Sequence, residues 1–134
     1  MNLRRIHHID YVVRDLSRAI EQYRKIFNVP LENRARLENR GIELARFRLG
    51  ETWIILVQPV RDDSPVKRFL DEHGEGFFHI AYEVSDVEGV ASDLKARGIK
   101  LMPDSPRRGV EGWKLVDIAM EETLGVMTQL VESS

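Results

Sequence analysis

An internal repeat is the feature that most constrains this chain. Sliding the sequence along itself lays His8-Ile9-Asp10-Tyr11-Val12-Val13-Arg14-Asp15-Leu16 over His79-Ile80-Ala81-Tyr82-Glu83-Val84-Ser85-Asp86-Val87, a shift of 71 residues that also overlays the segments that follow. Two similar modules therefore fill the chain. A length of 134 residues is the size of one domain. The expectation is a single domain, 1–134, with modules 1–60 and 75–134 joined by a helical linker over 61–74.

Each module opens on a strand, because β-branched and aromatic residues alternate with others over a short run. With a period of two, His8, Asp10 and Val12 share one face, and His79, Ala81 and Glu83 share the matching face of the second strand. An acidic residue then stands where a helix N-cap belongs. Asp15 precedes Leu16, Ala19, Ile20, Tyr23 and Phe27, and Asp86 precedes Val87, Val90, Ala91 and Leu94. These spacings draw one apolar stripe along each helix. Gly98 is placed to close the second helix, and Pro30 marks a chain already extended after the first. Further strands are expected at 31–37, 41–49 and Thr52–Pro59, then at 99–102, 113–119 and 126–132. In the linker, Ser64-Pro65 starts a short helix that Gly74 ends. The predicted fold is α+β: two βαβββ modules forming a curved mixed sheet around a cleft.

Composition narrows the partners. Lys+Arg 20 against Asp+Glu 22 gives a net charge of -2, without the broad basic surface that nucleic acid or an anionic membrane would need. No stretch approaches the roughly 18 apolar residues of a membrane helix. Met-Asn-Leu-Arg-Arg leads into histidine and aspartate rather than an apolar run, so a cytoplasmic protein is expected. With no Cys, any metal must be held by His, carboxylate, amide or water.

Two histidines at repeat-equivalent places on strand faces are natural metal ligands, since neutral imidazole binds first-row metals and strands hold donor geometry. Either histidine alone reads better as a hydrogen-bonded structural residue, and it is the pair at equivalent positions that favours a metal or substrate role. A third donor emerges when Ile55-Leu56-Val57-Gln58 is laid over Gln129-Leu130-Val131-Glu132, a shift of 74 that a loop absorbs. Gln129 becomes the candidate and Ile55 its apolar counterpart; a core amide hydrogen bond is the other reading of Gln129. His7 faces the opposite side from His8, and His73 ends the linker helix, which makes both surface residues. Trp53, Ile55 and Val57 line one strand face, as core packing or as an apolar wall against a substrate. Arg107 and Arg108 lie in the loop DSPRRGVEG, as solvated cations or as partners for carboxylate or phosphate.

The openings HIDYVV and FHIAYEV, the linker PVRDDSPVKRFLDEHGEG and the ending GVMTQLVE resemble the vicinal oxygen chelate superfamily of glyoxalases, bleomycin-resistance proteins and dioxygenases. Within it they look most like methylmalonyl-CoA epimerase-like proteins, over nearly the whole chain. The resemblance implies a divalent metal ion, Zn, Co, Mn, Ni or Fe. It would be held by a residue from the first and fourth strands of each module, binding two substrate oxygens while carboxylates move protons. It also implies a homodimer. Carried over, His8 and His79 match the family's histidine ligands. The first module's fourth-strand ligand, usually Gln or Glu, is Ile55 here, and the second's, usually Glu, is Gln129. The other proton-transfer Glu of the epimerases corresponds to Asn39, ahead of Gly41.

A carboxamide has no useful basicity near neutral pH. The expected activity is therefore not that of a true methylmalonyl-CoA epimerase. Strand phase nominates other carboxylates for proton transfer: Asp10 on the face of His8, then Glu43, in phase with Asn39. The preferred function is a metal-dependent glyoxalase/epimerase-like isomerase or lyase acting on a small enolisable substrate, a CoA thioester or oxo acid. Asp10 and Glu43 would be catalytic, with Asn39, Trp53, Ile55, Arg107 and Arg108 against the substrate and His8, His79 and Gln129 on the metal. One alternative is a metal-free small-molecule binding protein resembling the bleomycin-resistance branch. The other is a two-histidine dioxygenase, against which Gln129 speaks, because that triad uses an anionic third ligand.

Overall fold

The computed structural model describes residues 1–132, apart from the side chains of residues 32 and 33. Its elements run β1 (Ile6–Val12), α1 (Leu16–Phe27), β2 (Glu32–Leu37), β3 (Ile42–Leu49), β4 (Thr52–Pro59), α2 (Pro65–His73), β5 (Gly76–Glu83), α3 (Val87–Ala96), β6 (Arg107–Arg108), β7 (Lys114–Ile118) and β8 (Thr128–Glu132). The chain divides into two compact units that cut across the repeat: Ile9–Phe78 forms one, and Met1–His8 joins the residues from His79 onward in the other. Among the described residues no helix is long and apolar enough to cross a membrane.

In the Ile9–Phe78 unit the strands lie in the order β2-β3-β4-β1, with β2 and β4 antiparallel to β3. The Asp15 carboxylate accepts from Arg18 N–H at 3.1 Å, filling the N-cap of α1, a contact of about 1 kcal/mol. Leu16 then packs on Ala45 and Leu56, with Ala19, Ile20 and Tyr23 around them. This apolar stripe seats α1 on one face of the sheet. The turn from β2 to β3 closes through Gly41 at φ 63, where a Cβ would lie 2.9 Å from Arg61 Nε. Ser64 Oγ caps α2 by accepting from Val66 N–H, and Pro65 occupies the first turn, where no N–H is missed.

The second unit repeats the plan. Ile6–His8 of β1 leads the order β1-β5-β8-β7-β6, with β5 parallel to β8 and β7 antiparallel to it. Arg4 N–H donates to the Glu83 carbonyl, and Glu83 N–H to that of Arg5, which ties the first residues of the chain to β5. Asp86 caps α3 through Gly89 N–H at 3.1 Å. Val87, Ala91 and Leu94 pack on Val84, Val116 and Leu130. Each fully buried aliphatic side chain contributes about 1.5–3 kcal/mol. Alternation leaves the other face of this sheet to His79, Ala81, Leu115, Asp117, Gln129 and Val131.

One expected strand is absent. Residues 99–102 form only the bridge between Leu101 and Ile118, and Arg107–Arg108 takes the edge beside β7. Pro103, which follows Met102, has no N–H with which to extend a ladder.

Candidate metal centre

On that face, the parallel register sets Ala81 beside Gln129, and the antiparallel register sets Asp117 opposite it. His8, His79 and Gln129 are all buried, and their polar atoms converge. His8 Nε2 lies 3.2 Å from His79 Nε2 and 3.1 Å from Gln129 Oε1.

The orientation of the Gln129 amide is fixed by its other neighbour. Its Nε2 donates to Asp117 Oδ1 at 2.8 Å, and a carboxylate can only accept, so the amide oxygen must face His8. Asp117 is held in turn by Arg107, which donates Nε to Oδ2 at 2.6 Å and Nη2 to Oδ1 at 3.2 Å. Ser105 Oγ accepts the Asp117 N–H at 2.8 Å. Behind His8, its Nδ1 stands 2.9 Å from His7 Nδ1, so one of the two carries the shared proton. Trp113 stacks on the His8 ring and meets the His7 ring edge-on.

Burial pushes the His8 imidazolium well below its usual 6.5, reinforced by His79 and His7. The Gln129 oxygen pulls the other way and is outweighed, while Arg107 adds to the lowering. His8 is therefore neutral at pH 7, the form that binds metals.

The donor set fits a divalent ion. Ligands about 2.0–2.1 Å from such an ion stand roughly 3.0–3.4 Å from each other in octahedral or tetrahedral arrangement, and the observed 3.1 and 3.2 Å fall in that interval. Both imidazoles offer Nε2. With His8 Nε2 given to an ion, its proton resides on Nδ1, where His7 Nδ1 is placed to accept it.

Asp10 is buried on β1, two residues after His8 and on the same strand face. Glu43 accepts from Arg34 at 3.0 Å and lies 3.8 Å from Arg36, on the face of Ala45 that receives α1. Asn39 sits exposed in the turn between Leu37 and Ile42, and that turn resets the alternation from which the phase of Glu43 was counted. Ile55 is fully buried on β4. Trp53 carries the guanidinium groups of Arg46 and Arg48 over its ring at 4.2 and 4.9 Å. Arg107 is committed to Asp117, whereas Arg108 is exposed and donates to the Gly112 carbonyl.

His7 is not the surface residue that strict alternation implies: it is 1% exposed. Its ring lies under Trp113 and reaches round to the Nδ1 of its neighbour, which a period-of-two count does not foresee. Asp117 and Trp113 were also missed. The signal for Asp117 lay in its place opposite Gln129, which requires the strand register.

A model of the Glyoxalase/Bleomycin resistance protein/Dioxygenase superfamily matches residues 7–116. The chain belongs to this superfamily. Human mitochondrial methylmalonyl-CoA epimerase is 27% identical over 98% of this chain and 76% of that protein. A Streptomyces coelicolor methylmalonyl-CoA epimerase variant, solved in complex with 2-nitronate-propionyl-CoA, is 32% identical, with a TM-score of 0.92 over 99% of this chain and 96% of its own. The Mycobacterium tuberculosis epimerase matches at 28% identity and a TM-score of 0.90, over 98% of this chain and 89% of its own. The fold of this superfamily member is accordingly the vicinal oxygen chelate fold, with eight strands in mixed pairing and three α-helices among the described residues.

Proposed function

We propose that this protein is a metal-dependent isomerase or lyase acting on a small enolisable CoA thioester, and that it moves protons with one carboxylate rather than two. The observation that carries the reading is the placement of His79 Nε2 and Gln129 Oε1 within 3.2 Å of His8 Nε2. His8, His79 and Gln129 would hold the ion. When bound, a divalent cation supplies positive charge that stabilises the negative charge developing on a substrate oxygen as the α-proton leaves. Thioesters are favoured because the similar S. coelicolor protein binds 2-nitronate-propionyl-CoA and another solved epimerase binds methylmalonyl-CoA.

Proton transfer is the point of departure. Gln129 cannot take a proton from carbon, and Glu43 is engaged by Arg34 and Arg36. Asp10, buried and on the face of His8, is the carboxylate assigned to remove it. With one such group, the proton is delivered on the face from which it left, to a neighbouring atom when the substrate isomerises or back to the α-carbon as simple exchange.

The test is deuterium uptake at the α-carbon of a 2-methylmalonyl thioester of CoA, followed by proton NMR in D2O with added Co2+ or Zn2+. We expect metal-dependent uptake with retained configuration, abolished in His8→Ala/His79→Ala and lowered about 100-fold or more in Asp10→Asn. Inversion keeping pace with uptake would overturn the one-carboxylate assignment. No uptake from any small acyl-CoA, together with no bound metal on elemental analysis, would remove the enzyme reading altogether.

A further inference from the structure

We propose that Asp117, charge-balanced by Arg107, is a positioning residue that makes an amide obligatory at position 129 and aims its oxygen at the histidine pair. This inference rests on the metal reading above for its purpose, but its structural content stands without it.

Asp117 and Gln129 are direct cross-strand partners on β7 and β8, and both are buried. Asp117 Oδ1 receives Gln129 Nε2 and Arg107 Nη2, while Oδ2 receives Arg107 Nε. Every one of these contacts uses the carboxylate as an acceptor. A Glu at 129 would bring a second carboxylate oxygen to the place of Nε2, 2.8 Å from Oδ1, with no proton between them and little water to screen the repulsion. One Arg107 balances one buried carboxylate and not two. The charge that a glutamate would supply at 129 is thus carried one strand away, at 117. Position 129 is left with a neutral oxygen whose direction is set from behind.

The carboxylate should therefore be movable only as a pair. Gln129→Glu alone is expected to lower Tm by about 5 °C or more. The exchange Asp117→Asn/Gln129→Glu restores the hydrogen bond with reversed polarity, Asn donating and Glu accepting, and should recover most of that loss. Asp117→Ala frees the amide to rotate. It should weaken Co2+ binding about 10- to 100-fold and alter the visible absorption of the bound Co2+, which a general loss of packing would not do selectively. In the wild-type protein, the side-chain amide protons of Gln129 should exchange slowly with solvent.

Equal stability of Gln129→Glu and wild type, or no recovery in the exchanged pair, would overturn the proposal. If those variants do not fold, the wild-type amide protons decide: rapid exchange overturns the proposal and slow exchange supports it. If wild-type protein binds no Co2+, the metal reading alone fails, and the thermal and exchange measurements still judge the role of Asp117.

Discussion

At equivalent points of the two units, the same backbone pairing carries opposite chemistry. Asp117 stands opposite Gln129 in one, and Arg46 stands opposite Ile55 in the other. Asp117 and Arg46 are related by the 71-residue shift of the repeat, and Gln129 and Ile55 by the 74-residue shift of its final strands. Both charged side chains are buried, and each is accommodated differently. Asp117 is met by a guanidinium and an amide, whereas the Arg46 guanidinium lies against the face of Trp53. Duplicated strands thus fix where side chains meet but not what they do there. At the position where one unit carries the polar Gln129, the other carries the apolar Ile55.

The largest effects should come from the two cores, which break the comparison at its base. Leu56→Ala under α1 and Leu130→Ala under α3 should each cost about 2–5 kcal/mol in urea unfolding. Only Leu130→Ala should also weaken metal binding, because Leu130 neighbours Gln129 on β8. Next comes Gln129→Ile, which gives one unit the residue of the other. Co2+ affinity measured by competition titration should fall about 100-fold, equivalent to ~2.7 kcal/mol.

Acid should separate the units further. The folded state holds the His8 pKa below 6.5, so the unfolded chain binds that proton more readily. The metal-free protein keeps the full contribution of neutral His8 above pH 6.5 and loses it as pH falls toward the lowered value, by up to ~1.4 kcal/mol per pH unit. Chemical denaturation in steps from pH 7.5 to 5 should show this slope, and His8→Ala should flatten it. The smallest effect sharpens the likeness instead. Asp15→Ala and Asp86→Ala, at equivalent helix caps, should each cost ~1 kcal/mol in thermal or urea unfolding.

Those caps show what the sequence made legible. Asp15, Ser64 and Asp86 announce helix starts through local geometry alone, and the apolar stripes behind them mark the faces that pack. The repeat likewise placed His8 and His79 at matching points of matching strands. The supports of the site were not legible, because they depend on register. Asp117 reaches Gln129 across a ladder, Arg107 reaches Asp117 from an edge strand of two residues, and Trp113 covers two histidine rings from the start of β7. Glu43 illustrates the converse failure: alternation counted through a turn has no meaning on the far side of it.

The unit that holds the histidines is discontinuous in sequence, and this imposes an order on how the chain can acquire its chemistry. His8 meets a partner 71 residues later and another 121 residues later, so the earliest donor made is completed by the last strand. On a ribosome, β1 must wait until β8 has been made before the His8 imidazole meets Gln129. Loop closure over such separations is slow compared with forming α1 against its own strands. The Ile9–Phe78 unit can therefore consolidate first, and the proposed metal site is assembled only once β8 has joined β5.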